Sequence, residues 1–312
     1  MSRREDLEAA LHEHPDDDAT RAVYADLLHA QDDPRGELIA LDLHAPSMTK
    51  HSLESWRGLL IRQWLGDDFD VQFDAEQQLW YVGSLGASHA KFDGGFLELL
   101  ITEEDYTADL VVPTLLDTPA AEHLRSLSML GSTIMLQQVL EKLVATKRPW
   151  LQHLEIARYP HLRPLLVDPA LGAALVANAP HLEALRLFGR NLFGEWSHPT
   201  MHSLGVTGAE AIELAAGPPM FAVTTLSYDL EDDRPIPRGL VSPIRFPVLR
   251  TLDFSEAEPN HEALFPILET LAVASQITRL VLPEIRDSDR ARLKAATACM
   301  PNLTELVINP SR

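Results

Sequence analysis

The sequence predicts an α/β fold: a solenoid with a parallel sheet on its concave face, helices on its convex face and a helical cap at the N-terminus. Three observations carry that expectation. First, one phrase returns four times, as "PWLQHLEI" ending at Ile156, "PHLEALRL" at Leu187, "PVLRTLDF" at Phe254 and "PNLTELVI" at Ile308. The same apolar spacing, without the proline, fits Phe96/Leu99/Ile101, Leu124/Leu127/Met129, Val223/Leu226/Tyr228 and Ile277/Leu280/Leu282. Eight phrases therefore begin at residues 96, 124, 151, 182, 223, 249, 277 and 303, at steps of 28, 27, 31, 41, 26, 28 and 26. Second, the end of each phrase alternates apolar and polar residues, the period of a strand with one buried face. Third, the linkers change to helical spacing, so each unit reads as strand, turn and helix.

Such a unit cannot bury its leucines alone. Stacked side by side, the strands form a parallel sheet and the leucines fill one continuous interior. The proline is expected to end the preceding helix, because its ring cannot continue the hydrogen-bond ladder. Among the linkers, "TIMLQQVLEKLV" places Leu136, Val139, Leu140 and Leu143 on one side. "HEALFPILETLAV" does the same with Leu264, Ile267, Leu268 and Leu271, provided Pro266 lies in the first helical turn. "TGAEAIELAAGPP" opens on Thr207 and stops at Gly217 and two prolines, and Ser288 or Asp289 caps the helix of "SDRARLKAATACM".

Ahead of the repeats, residues 1–45 read as three short helices. Leu7 and Leu11 share a face of the first, which Pro15 and "DDD" stop; Ala19, Ala22, Val23, Leu27 and Ala30 share a face of the second. Asp33 as N-cap and Pro34 at the first helical position open the third. A further helix around "SLESWRGLLIRQWLG" puts Trp56, Leu59, Leu60 and Leu65 in apolar company, and "FDVQF" and "LWYVGSL" alternate like paired strands. The expected division is a helical capping domain over residues 1–66 and a solenoid of about eight repeats over residues 67–312. The cap covers one end of the core; the C-terminal edge has no such cover, so that edge either tolerates water or is covered by another chain, an oligomer included.

From about residue 90 onward the chain resembles the leucine-rich repeat family in its helix-containing, ribonuclease-inhibitor-like style. The repeat length and the register of L-x-x-L-x-L carry the resemblance. That family often places Asn or Cys at the ninth position of the phrase; here Glu104, Ser132, Tyr159, Arg190, Glu231, Ala257, Ile285 and Ser311 stand there, and no asparagine ladder exists. The segment "PDDDATRAVYADLLHAQDDPRGELIALDL", with "YADLL…DDPRGE" its most specific part, resembles the repeat-companion domain found before repeats in bacterial proteins of myxobacteria and planctomycetes. The resemblance implies a bacterial origin and association with repeats, and no catalytic role.

Composition narrows the function. With 46 acidic against 26 basic residues the formal charge is −20, which repels phosphate backbones and anionic lipid; nucleic acid and membrane are not expected partners. The first residues lack the apolar run of a signal peptide and the lone Cys299, on a helix face, reads as a buried reduced thiol, so a cytoplasmic location is expected. There is no Gly-rich phosphate loop, no nucleophile elbow, no H-E-x-x-H and no paired-cysteine set, so no catalytic residue and no cofactor is expected. His198 and His202, four apart without a third ligand, make no metal site.

The polar positions of successive strands are then the candidate ligand surface. Its middle row reads Leu100, Ser128, Glu155, Arg186, Ser227, Asp253, Val281 and Val307. The central patch is His153, Glu155, Arg186, Phe188, Asp229 and Asp253, with Arg186 suited to a carboxylate and Phe188 to an apolar anchor. The bland reading is that these charges pair across neighbouring strands. The 41-residue step holds "NLFGEWSHPTMHSLG", read as an inserted loop whose Phe193 and Trp196 form a second contact site. The expectation is a non-catalytic scaffold or adaptor that holds a protein or peptide. The alternative is an enzyme, or an enzyme subunit of a peptide-modifying pathway whose active site a partner completes.

Overall fold

The computed structural model describes residues 2–44, 50–76, 78–83, 88–102, 108–131, 133–158, 165–166, 169–187, 189–190, 197–207, 217–229, 241–255 and 261–309. The chain is mixed α/β and falls into two compact units, Met1–Leu151 and Gln152–Arg312. No helix among the described residues is long and apolar enough to cross a membrane.

The first unit opens with four helices: α1 (Arg3–Glu13), α2 (Asp18–His29), α3 (Pro34–His44) and α4 (Lys50–Leu65). Ser2 and Glu5 form a reciprocal capping box on α1, and the Asp17 carboxylate caps α2 by accepting from the N–H groups of Ala19 and Thr20. Strands β1 (Val71–Asp74), β2 (Leu79–Val82), β3 (Ser88–Asp93) and β4 (Phe96–Thr102) form an antiparallel meander. After α5 (Ala108–Leu116) and a 3-10 turn over Pro119–His123, β5 (Ser126–Gly131) lies parallel to β4, and α6 (Thr133–Ala145) follows. Helices give way to strands near residue 66, but both parts belong to one unit that ends at Leu151. Leu11, Tyr24, Ala25, Leu28 and Ile39 of the helices are buried against Phe96 and Trp150, and His12 stacks on Trp150 at 4.1 Å. The helical segment thus covers the apolar start of the parallel strands.

The most distinctive run of this segment, "YADLL…DDPRGE", is explained by the junction of α2 and α3. Asp32 takes a left-handed φ of 55° to turn the chain, and Asp33 accepts from the Arg35 N–H at 3.1 Å to cap α3. The Arg35 side chain is buried, donates to both Asp33 carboxylate oxygens and reaches the Tyr24 hydroxyl at 3.5 Å. Tyr24 donates in turn to Glu8 at 2.8 Å, and Glu8 pairs with Arg4 at 2.9 Å. Burial, with Glu8 adding to it and Arg35 opposing, pushes the Tyr24 phenol up to about 12. Gly36 is required by close approach: a Cβ there would lie 2.7 Å from both the Ala25 carbonyl oxygen and the His29 nitrogen. Those are backbone atoms of α2, so relief requires the helices to part. Gly36→Ala is expected to lower the unfolding free energy by roughly 1–3 kcal/mol, read from the midpoint of urea unfolding.

The second unit contains β6 (His153–Arg158), β7 (Leu165–Leu166), α7 (Pro169–Asn178), β8 (Ala184–Leu187), β9 (Gly189–Arg190), β10 (Ser203–Thr207), β11 (Thr225–Asp229), β12 (Thr251–Asp253), α8 (His261–Glu269), β13 (Arg279–Leu282), α9 (Arg290–Thr297) and β14 (Glu305–Ile308). β7 and β9 form a separate short pair. The others make a parallel ladder in the order β6–β8–β10–β11–β12–β13–β14, each neighbour in register at its leucine: Leu154, Leu185, Leu204, Leu226, Leu252, Leu280 and Leu306. The first six of these leucines are buried, as are Leu151, Leu182, Val223, Leu249 and Ile277 three residues earlier.

Several sequence expectations are corrected. The 41-residue step is not one inserted loop: β10 runs through it, between β8 and β11, with Met201 and Leu204 buried. The phrase of this strand is "PTMHSLGV", in which methionine and valine take two of the three leucine places. The first phrase is displaced by one residue, since Leu97 pairs with Leu124 and Leu100 with Leu127, so Leu100 leaves the middle row and Ile101 sits opposite Ser128. Leu60 and Leu65 of α4 are buried, but Trp56 is 49% and Leu59 61% exposed; Ile61 and Trp64 complete the inward face instead. Pro266 lies inside α8 beyond its first turn, and Cys299 is exposed, its thiol donating to the Leu268 and Ala296 carbonyls. The last triad is not buried, with Leu306 43% and Ile308 41% exposed.

The recurring proline also has a sharper cause than helix termination. Helices α6, α7 and α9 have already ended at Ala145, Asn178 and Thr297. Pro149, Pro180, Pro247 and Pro301 each take the second place of a four-residue turn. These turns are closed by Leu151 N–H to Arg148 (3.2 Å), Leu182 to Ala179 (3.1 Å), Leu249 to Phe246 (3.4 Å) and Leu303 to Met300 (3.2 Å). That is the position for which proline's fixed φ is suited.

Where an asparagine ladder is missing, backbone carbonyls join neighbouring strand units. Gln152, Glu183, His202, Thr224, Arg250 and Thr278 each accept two successive N–H groups from the following unit, at 2.8–3.1 Å. Thr224, Thr278 and Thr304 add a hydroxyl bond to the same carbonyls of His202, Arg250 and Thr278. A carbonyl has two lone pairs, so one oxygen can serve the two N–H donors, and the hydroxyl shares them where it joins.

Candidate functional site

Side chains alternate across a strand, so the residues between the buried leucines share the opposite face of the sheet. In the second unit the register sets Glu155, Arg186, Gly205, Ser227, Asp253, Val281 and Val307 in one line across seven strands. The parallel line before it is His153, Ala184, Ser203, Thr225, Thr251, Arg279 and Glu305. His153, Glu155, Arg186 and Asp253 therefore lie on one face, as the alternation predicts. Asp229 is placed by its backbone alone, at the end of β11 opposite Thr207. Phe188, Phe193 and Trp196 lie outside the described residues.

Glu155 and Arg186 are joined. Nη1 of Arg186 donates to the Glu155 carboxylate at 3.2 Å, and both side chains keep access to water. Across β13 and β14, Arg279 and Glu305 make a similar pair at 3.6 Å. Exposed pairs of this kind contribute about 0–1 kcal/mol, so they organise the face more than they stabilise the fold. The Asp253 carboxylate accepts from the Ser255 N–H at 2.8 Å, which fixes it at the end of β12. His153 is exposed.

Gly205 and Ser203 are absent from the rows that the sequence predicts, because the spacing of the phrases places them in an inserted loop. The geometry around Gly205 is tight: a Cβ there would stand 2.5 Å from Cγ, 3.0 Å from Cβ and 3.2 Å from Cδ of Arg186. The arginine stem occupies the space above the glycine. His198 and His202 serve separate partners. His198 is buried, its Nε2 2.9 Å from the Ala179 carbonyl and its Nδ1 beside the Thr200 N–H and hydroxyl, and burial holds its pKa below the usual imidazole value. His202 is exposed and lies 3.4 Å from Glu183. Among the described residues no group of three His, Cys, Asp or Glu could hold a metal ion.

Comparison with protein-family models and with curated proteins finds no match. The reading of this face therefore rests on its own geometry.

Proposed function

We propose that the chain is a leucine-rich repeat solenoid with a repeat-companion segment at its N-terminus, and that it acts without catalysis, as a scaffold holding a protein or peptide. The ligand lies along the concave face, across the line from Glu155 to Asp253. One observation carries this reading: five adjacent parallel strands present Glu155, Arg186, Gly205, Ser227 and Asp253 in strict register on the face opposite the buried leucines. At about 4.8 Å per strand those strands span roughly 20 Å, which fits an extended segment better than a small metabolite. Arg186 supplies a cation on this face, in the same line as Ser227 and Asp253, and suits a carboxylate on the ligand. Phe188, Phe193, Trp196 and Asp229 are further candidate contacts.

The test is affinity capture from the native host with mass spectrometry, comparing the wild-type chain with Arg186→Glu. The charge reversal is expected to weaken retention of the specific partner by at least tenfold, since truncating or reversing a central contact costs about 2 kcal/mol or more. Equal retention by both proteins would rule out this face as the binding surface.

A further inference from the structure

We infer that Gly205 is a positioning residue for Arg186: its missing side chain lets the arginine stem lie over β10 while the guanidinium reaches Glu155. The functional meaning rests on the proposed role of Arg186 at the ligand surface, whereas the geometry stands by itself. Glycine inside a strand weakens the strand, through backbone entropy and the lack of a side chain to pack. Its presence in the middle of β10 therefore calls for a close approach. The approach is by Cβ, Cγ and Cδ of Arg186, at 3.0, 2.5 and 3.2 Å from where a Gly205 Cβ would stand. These are the near atoms of the side chain: Cγ and Cδ can leave only by a change of χ1, and Cβ only with the backbone.

Any residue but glycine at 205 would thus force Arg186 into another rotamer and carry its guanidinium away from the Glu155 oxygen, now 3.2 Å distant. β6, β8 and β10 are adjacent, so the glycine acts on one side of Arg186 and the glutamate on the other. Gly205 controls where the one central cation of this line points. It needs no contact with the ligand to do so.

A double-mutant cycle with a spectroscopic readout tests the inference. Gly205→Ala is expected to lower the urea midpoint of the wild-type chain, and that drop should be at least halved in an Arg186→Ala background. The Arg186 Nε–Hε cross-peak in an NMR spectrum should move in Gly205→Ala in the same direction as in Glu155→Gln, a change that simple loss of stability would not produce. Equal midpoint shifts in both backgrounds, or an unmoved cross-peak, would overturn the positioning role whatever the partner-capture result. Conversely, coupling between Gly205 and Arg186 alongside equal partner retention by Arg186→Glu would uphold the seat and remove the proposed function.

Discussion

Asp33→Ala is expected to lower the unfolding free energy by about 3–5 kcal/mol, because it strands a buried guanidinium without its counter-ion. Arg35 is only 2% exposed, and its Nε lies 3.0 and 3.1 Å from the two Asp33 oxygens. Its Nη2 donates to the same carboxylate, and the Tyr24 hydroxyl that the guanidinium also reaches is itself committed to Glu8. The substitution also removes the cap of α3. Burial by itself would raise the pKa of Asp33, but the Arg35 hydrogen bonds and charge outweigh it and hold the carboxyl below its ordinary value. The measurement is urea unfolding of wild type, Asp33→Ala and Asp33→Ala/Arg35→Met. The double variant should recover part of the loss, since an apolar side chain leaves no buried charge behind. A single variant as stable as wild type would show that the network is peripheral to the first unit.

Acid should destabilise the fold well above the range in which carboxylates titrate, and His123 is the reason. The ring is buried between Trp64 and Phe96, each 6.3 Å away. Burial, helped by the charges of Arg35 and Arg4 and opposed by Asp33, brings its pKa down from 6.5 to about 3. The unfolded chain therefore binds a proton below pH 6.5 that the folded chain refuses until about pH 3. Stability is fully present above the higher value and falls as pH drops through that window, by up to about 1.4 kcal/mol per pH unit. Asp33 acts in the same direction at lower pH, its depressed pKa adding stability that is lost as the carboxylate protonates. His123→Met should remove the histidine part. Between pH 7 and pH 4.5 the wild-type chain is expected to lose roughly 2–3 kcal/mol more than the variant. Parallel pH profiles for the two proteins would contradict this account.

Much of the strand pattern was legible because it is local. Six phrases, from Leu151 onward, fall in the register their spacing predicts, and Leu136, Val139, Leu140 and Leu143 line the buried side of α6 as expected. The failures have physical causes of the same local kind. In "FLELLI" apolar residues stand at almost every place, so the alternation cannot choose between Phe96 and Leu97, and pairing with β5 decides. In "PTMHSLGV" a methionine and a glycine hide a strand whose identity is settled by its neighbours β8 and β10's other partner, β11. At the candidate site Glu155 and Arg186 were readable as outward residues of consecutive phrases. Their ion pair and the seat under Arg186 were not, because the spacing of the phrases places Gly205 in a loop. The Tyr24–Arg35–Asp33 chemistry was visible only as a distinctive run of letters, since it depends on the angle at which α2 meets α3.

What the sequence by itself determined is which residues turn inward and where each strand begins. A two-residue period and proline's fixed φ act within a few bonds and need no distant partner. Only the tertiary structure decided which phrase lies beside which, in what register, and which apolar residues stay in contact with water, as Leu306 and Ile308 do. Those outcomes depend on hydrogen bonds and burial between segments some twenty or more residues apart, and no local preference encodes them.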